Sequence, residues 1–239
     1  MAQRDKRPLI AKEANQLLAA VPAAELAKLE PHLERVELRF RDQLQEAEKS
    51  IEHVYFIRSG VASGVKEFHN GDAIEVATIG NEGVVGHSVA LGVPVSGNRF
   101  FVQVAGEAMR IKAATLLRVM QQSPKLRQLL LRYSQALFQQ VAQSAACNRA
   151  HNVDERCARW LLMTHDRVGS DSFYLTQEFL AIMLGVHRPT VSLAAGMLQK
   201  AGMIVFARGN ITILDRKAPE QASCECYALI QRQYKVASK

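Results

Sequence analysis

The chain has 239 residues, 48% of them hydrophobic and 22% charged, and a formal net charge of +7. That length accommodates two cores, no apolar run is long enough to span a bilayer, and the first residues lack the hydrophobic segment of a signal peptide, so a cytoplasmic protein without a membrane partner is expected. Four cysteines, two of them one residue apart, do not make a disulfide framework.

Charge is unevenly spread. Through Met120, 15 Lys and Arg balance 15 Asp and Glu, whereas the remainder has 15 against 8 and carries all of the excess. A neutral first half and a basic second half point to one module that meets a polyanion and another that does not.

In chain order, residues 1–8 are a polar, basic leader ending at Pro8. Ala11 to Leu18 has the pattern of a short amphipathic helix, and Pro22 permits the start of another through Leu26 and Leu29. From Val36 the period becomes two: Val36, Leu38 and Phe40 alternate, as do Val54 and Phe56, continuing across a turn at Gly60 to Val65. Ile74–Ile79, Arg99–Val104 and Ala108–Ile111 fit further strands. Many short strands with glycine-bearing turns predict a small antiparallel barrel or jelly roll.

Leu116 to Met120 reads as a short helix. Ser123-Pro124 then supplies an N-cap and a first-turn proline for a long helix to about Cys147. Leu126, Leu129, Leu130, Tyr133, Leu137 and Val141 form its apolar stripe, which persists over more turns than a small domain needs and is expected to be a homodimer seam. Asn152 and Glu155 are spaced as a capping box for the next helix, which buries Trp160 and Leu161.

Thr176 is an N-cap candidate, Leu180 with Met183 or Leu184 faces inward, and Gly185 ends that short helix. A second helix follows with Pro189 in its first turn and Val191, Ala194 or Ala195, and Leu198 buried. After Gly202 the period changes again. Ile204 and Phe206, Arg208-Gly209-Asn210, then Ile211 and Ile213 make a hairpin with a basic tip. Two short helices crossing steeply, followed by such a hairpin, predict a winged helix-turn-helix that places its second helix in the major groove of double-stranded DNA. A last helix around Tyr227, Leu229 and Ile230 closes the chain.

The fold class expected is therefore α+β: an N-terminal antiparallel β-barrel over residues 9–122, a dimerisation helix over 123–150, a winged helix-turn-helix over 151–217 and a tail over 218–239. That order resembles the cyclic-AMP receptor protein and FNR family of bacterial transcription regulators over roughly residues 9–215. The segments that carry the resemblance are Ile51-Glu52-His53-Val54-Tyr55-Phe56-Ile57-Arg58-Ser59-Gly60, Asp154-Glu155-Arg156-Cys157-Ala158-Arg159-Trp160-Leu161-Leu162 and Leu184-Gly185-Val186-His187-Arg188. The resemblance implies a homodimer that reads a palindromic operator, with a ligand in the barrel altering how the recognition helices are presented. A contact with RNA polymerase stays open.

Residue by residue, the resemblance puts Arg188 where the family contacts guanine. Pro189 stands where many members have a base-reading Glu, and Leu193 where the cyclic-AMP receptor protein has a second arginine. Thr190 and Ser192 are candidates for base or phosphate contact and Arg208 for phosphate contact. In the barrel, the family's ribose and phosphate turn corresponds to Gly83-Val84-Val85-Gly86, with Val84 in place of the ribose-binding Glu. Arg99 is the one arginine left for a phosphate, and two phenylalanines follow it, which is a poor cage for a buried anion. Cyclic AMP and cyclic GMP are thus not expected to promote DNA binding. A cyclic-nucleotide regulator with a rearranged pocket around Arg99 and a protein-binding adaptor are the alternatives.

FNR-type oxygen sensors carry an N-terminal cysteine cluster, whereas the first cysteine here is Cys147. Cys224 and Cys226 could bind a metal only with ligands from elsewhere. Cys147 or His151 could supply them, but sequence does not bring them together. Apolar packing or free thiols is the reading preferred, with Cys157 in a core, and neither a metal nor a cofactor is expected. Without an HExxH or Walker motif, no enzyme is expected either.

Overall fold

The computed structural model describes residues 15–237. The expected leader and the beginning of the first expected helix lie outside the described residues. Helix α1 spans Gln16–Ala20 and is capped by Asn15, whose side-chain oxygen accepts from Leu18 N. The Asn15 amide also donates to the carbonyls of Ile57 at 2.7 Å and Gly83 at 2.9 Å, pinning this helix to the sheet below it. Helix α2 follows at Ala23–Leu29.

The first sheet contains β1 (Glu34–Leu38), β2 (Gln43–Gln45), β3 (His53–Glu67), β4 (Ala73–Ile79), β5 (Val84–Val85) and β6 (Arg99–Lys112), in the order β1-β6-β3-β4 with β2 on β6 and β5 on β3. It is antiparallel throughout but open. Closing a barrel requires the first and last strands to exchange hydrogen bonds, and β1 and β4 do not pair. The expected closed barrel or jelly roll is therefore corrected to an open sheet, whose far side at β4 is packed by helices instead of by another strand.

The turns expected at Gly60 and between Val104 and Ala108 are also absent. Strands β3 and β6 run straight through both places, 15 and 14 residues long, with register shifts between Ile57 and Ala62. Gly60 sits at φ +79°, and a Cβ there would lie 2.4 Å from Val104 O; one on Gly106 would lie 2.2 Å from Ser59 O. These glycines let two backbones cross at a bulge, a use of glycine that looks like a turn in one dimension.

Helices α3 (Ala113–Gln121) and α4 (Pro124–Ala150) come next. Ser123 does not cap α4. Glu25 of α2 does, accepting from Lys125 N at 3.2 Å and Leu126 N at 2.9 Å, a carboxylate at the positive end of the helix. Helix α5 (Val153–Val168) begins with the capping box of Asn152 and Glu155. Then follow β7 (Ser172–Tyr174), α6 (Gln177–Leu184), α7 (Arg188–Lys200), β8 (Ile204–Ala207) and β9 (Asn210–Ile213), the strands ordered β7-β9-β8. Helices α8 (Lys217–Ala222) and α9 (Cys226–Ala237) finish the described chain, with α9 lying on α4. Among the described residues no single helix is long and apolar enough to cross a membrane.

One core joins the first sheet to α1, α3 and the inward face of α4. The second lies among α5, α6, α7 and the small sheet, and it takes in Val65 of β3 and Phe101 of β6. The two halves are therefore in direct apolar contact.

Gly106→Ala should lower stability by about 1–3 kcal/mol, because a Cβ is forced against backbone that cannot rotate away. Gly97→Ala, where a Cβ meets nothing within 4 Å, should leave the urea midpoint unchanged.

Candidate nucleic-acid interface

The helix-turn-helix is built from ordinary local rules. Thr176 Oγ1 accepts from Phe179 N at 3.1 Å and starts α6. Gly185 ends it at φ +62°, in the left-handed region where a side chain is strained. Helix α7 then sets off at 103° to α6 with Pro189 in its first turn. Val191, Ala194, Ala195 and Leu198 are buried, so this helix is held by one stripe. The other side carries Arg188, Pro189, Ser192, Leu193 and Met197, all exposed, with Leu193 at 71%. Thr190 is half-buried.

Several supports were not legible in the sequence. Arg156 of α5 donates through Nη2 to Leu184 O, satisfying a helix-end carbonyl just before the turn. Gln199 Oε1 accepts from Phe206 N at 2.8 Å, fixing the hairpin to α7. Ser192 Oγ donates to Gln177 Oε1 at 2.9 Å, and Arg188 forms an ion pair with Glu178 at 2.9 Å. That pair is exposed on both sides and worth only a fraction of a kcal/mol to about 1 kcal/mol, so it leaves the guanidinium free to swing away. At the wing, Arg208 and Gly209 have φ +51° and +78° between Ala207 and Asn210. Two successive positive φ values make the hairpin turn that matches strand twist, and they leave Arg208 exposed at the tip.

The candidate effector residues are not brought together. Val84 and Val85 are fully buried in β5, opposite Phe56 and Tyr55. A Cβ on Gly83 would meet the Tyr133 hydroxyl at 2.3 Å, and one on Gly86 would meet Gln45 Nε2 at 2.8 Å, so this segment is packed solid. Arg99 pairs with Val65, near the end of β3 opposite to Tyr55 and Phe56, which pair with β5. There it binds Glu67 at 2.8 Å and stacks on Phe101. The five residues do not form one pocket.

The stripe expected as a dimer seam is turned into the chain's own core. Leu126, Leu129, Leu130, Tyr133 and Leu137 are buried, and Val141 packs beside them, all against the chain's own sheet. They cannot meet a second chain without opening that core.

The helix-turn-helix half is latched to the sheet at several points. Trp160 Nε1 donates to Glu75 Oε2 at 2.7 Å, and Ser63 Oγ donates to Glu75 Oε1 at 2.8 Å. Phe40 meets Tyr174 edge-on at 5.4 Å, and Phe101 meets Phe179 at 5.9 Å. Behind them Arg167 of α5 donates to Glu82 at 2.8 Å, to Met163 O and to Gln140 of α4, with the Tyr234 ring of α9 beside it.

A steeply crossed helix pair with a small three-stranded sheet defines a winged helix-turn-helix unit, docked here on an antiparallel sheet. Residues 155–220 match the Crp-like helix-turn-helix domain. Solved structures share its fold. FixK2 from Bradyrhizobium japonicum is 16% identical with a TM-score of 0.67, over 80% of this chain and 98% of that one. A putative transcriptional regulator of the Crp/Fnr family from Eubacterium rectale is 18% identical, also at 0.67, over 86% and 96%. TTHB099, a CRP-family transcriptional regulator from Thermus thermophilus, is 18% identical at 0.61, over 80% and 96%. Comparison of the sequence with curated proteins gives no match.

Burial pushes the Glu75 carboxyl up from 4.5 to about 7, against the opposing pull of Trp160, Ser63, Arg167 and Arg159. Since the folded-state value lies above the free one, this group's contribution is complete below pH 4.5 and is lost as pH rises through 7. Ionising it above that point costs up to about 3 kcal/mol. Emission of Trp160, the sole tryptophan, should therefore shift with a midpoint near pH 7. In Glu75→Gln the shift should vanish; an unchanged midpoint in that variant would exclude Glu75 as its source.

Proposed function

We propose that the protein acts as a homodimer on a two-fold DNA operator, with Arg188 of α7 as its principal base reader. The observation that carries this reading is the α7 face from Arg188 to Met197, which the chain's own core leaves exposed behind a wing tipped by Arg208. A guanidinium at Arg188 reaches O6 and N7 of one guanine together, a pairing worth about 1–3 kcal/mol of discrimination. Leu193 offers a methyl-sized apolar contact for thymine. Thr190 and Ser192 lie beside the phosphates, and Pro189 fixes the helix start without donating a hydrogen bond. Arg208 meets backbone phosphate. The excess positive charge beyond Met120 supports a polyanionic partner.

For the dimer we assign the outward face of α4. Leu131, Gln135, Phe138, Ala142 and Ala145 recur at alternating steps of four and three, the spacing of a coiled-coil seam, with Leu131 38% and Phe138 63% exposed. A second copy of the same helix is the partner such a self-complementary stripe fits. The solid packing of Gly83 to Gly86 argues against a cyclic nucleotide at that place, and a protein-binding adaptor would bind partners without retarding promoter DNA.

Arg188→Ala should flatten preference at one symmetric base pair per half-site, whereas Arg208→Ala should weaken all sequences alike and reduce the salt slope by about one per chain. Fluorescence anisotropy against operator and random duplex separates these outcomes. Equal losses on both duplexes in Arg188→Ala would remove it as a base reader.

Phe138→Glu should convert the dimer to a folded monomer, because the side chain is exposed within one chain but would be buried between two. Sedimentation velocity at micromolar concentration reads this directly; an undiminished dimer would rule out the outward face.

A further inference from the structure

Packing of α9 on α4 brings together four side chains from two distant segments. The Sγ atoms of Cys147, Cys224 and Cys226 and one ring nitrogen of His151 all lie within 4.8 Å of one another. The three cysteines are buried and form a small cluster of their own, outside both larger cores. We propose that Cys147, His151, Cys224 and Cys226 hold a single zinc ion that fastens α9 to the end of α4.

The geometry suits that ion. Cys147 Sγ and Cys224 Sγ are 3.5 Å apart, and Cys226 Sγ is 3.7 Å from His151 Nδ1. Around tetrahedral zinc, with bonds of about 2.3 Å to sulfur and about 2.0 Å to nitrogen, neighbouring ligand atoms stand about 3.5–3.8 Å apart. A disulfide would need about 2.05 Å. The surroundings are those of a ligand set. His151 Nε2 lies 3.1 Å from Glu225 Oε2, which holds the ring so that Nδ1 faces the thiols. Gln143 Nε2 donates to Cys226 Sγ at 3.0 Å. Three thiolates and an imidazole disfavour calcium and magnesium, which take oxygen ligands. Four protein ligands leave no open position, so the ion is structural rather than catalytic.

Zinc binding displaces the thiol protons to solvent, with no change of oxidation state and no other reactant. Its position matters for the regulator. His151 is the residue after α4 and directly precedes the cap of α5. A clamp here fixes the α4 end, the α9 start and the hinge into the DNA-reading half at one point.

The test is metal analysis of the full chain purified under reducing conditions, followed by anaerobic replacement of the metal with cobalt(II). One zinc per chain is expected, and the cobalt form should show thiolate charge-transfer and tetrahedral ligand-field bands. Cys224→Ser should drop the zinc content severalfold, while Cys157→Ala, a buried cysteine outside the cluster, should keep it in full. The wild-type cobalt spectrum stands even where a variant fails to fold. No stoichiometric zinc together with no cobalt bands would overturn the proposal, as would stoichiometric iron or a Cys147–Cys224 disulfide in the metal-reconstituted chain. None of these readouts uses DNA, so failure here leaves the operator reading intact, and the reverse also holds.

Discussion

A guanidinium taken out of water must find carboxylate and carbonyl partners or the structure rearranges to supply them. Arg167 is 5% exposed and its partner Glu82 10%. Around this pair four parts of the chain are obliged to meet: α5, which carries Arg167; the turn after β4, which carries Glu82; α4, through Gln140; and α9, through Tyr234. The stem of Arg167 crosses Gly80 so closely that a Cβ there would lie 2.4 Å from it. Removing one partner of such a pair typically costs about 3–5 kcal/mol, although a well-packed apolar replacement of both can be neutral. The pair therefore sets how the halves are arranged more than how stable they are.

Once that joint is fixed, the remaining contacts between the halves fall into place around it. Trp160 reaches Glu75, Phe179 meets Phe101, and Ile74 of β4 lies against Gly185, the glycine of the helix-turn-helix itself. Helix α7 is thus oriented by a sheet that touches the turn before it directly. Any signal that moves α7 relative to the sheet must break apolar contacts and a buried hydrogen bond at the same time. Two packings separated by such contacts behave as discrete states rather than as a continuous flex. The exposed outward face of α4 and the cysteine cluster at its end sit on the same long helix, against which the C-terminal helix is packed.

The DNA-reading half was largely legible because its signals are local. A threonine cap, a glycine at a helix end, a first-turn proline and a basic two-residue hairpin turn each act within about four residues, and sequence spacing records them. The first half was legible only as strands. Gly60 and Gly106 look like turn residues in one dimension, yet they face each other across β3 and β6, and only their pairing shows that both strands run through. Strand closure depends on whether β1 and β4 meet, which no alternation of side chains encodes.

What the sequence determined by itself was the change from strands to helices near Ala113, the excess charge beyond Met120, the cap of α5 at Asn152 and Glu155, and the helix that presents Arg188. Tertiary structure decided which face each element spends. The stripe from Leu126 to Val141 has the same period whether it packs on a sheet or on another chain, because helical repeat fixes spacing and not partner. Cys147 and Cys224 are 77 residues apart and meet only because α9 folds back along α4. Chemistry that needs several side chains at one point is a property of packing, and a linear chain carries the ligands without the distance between them.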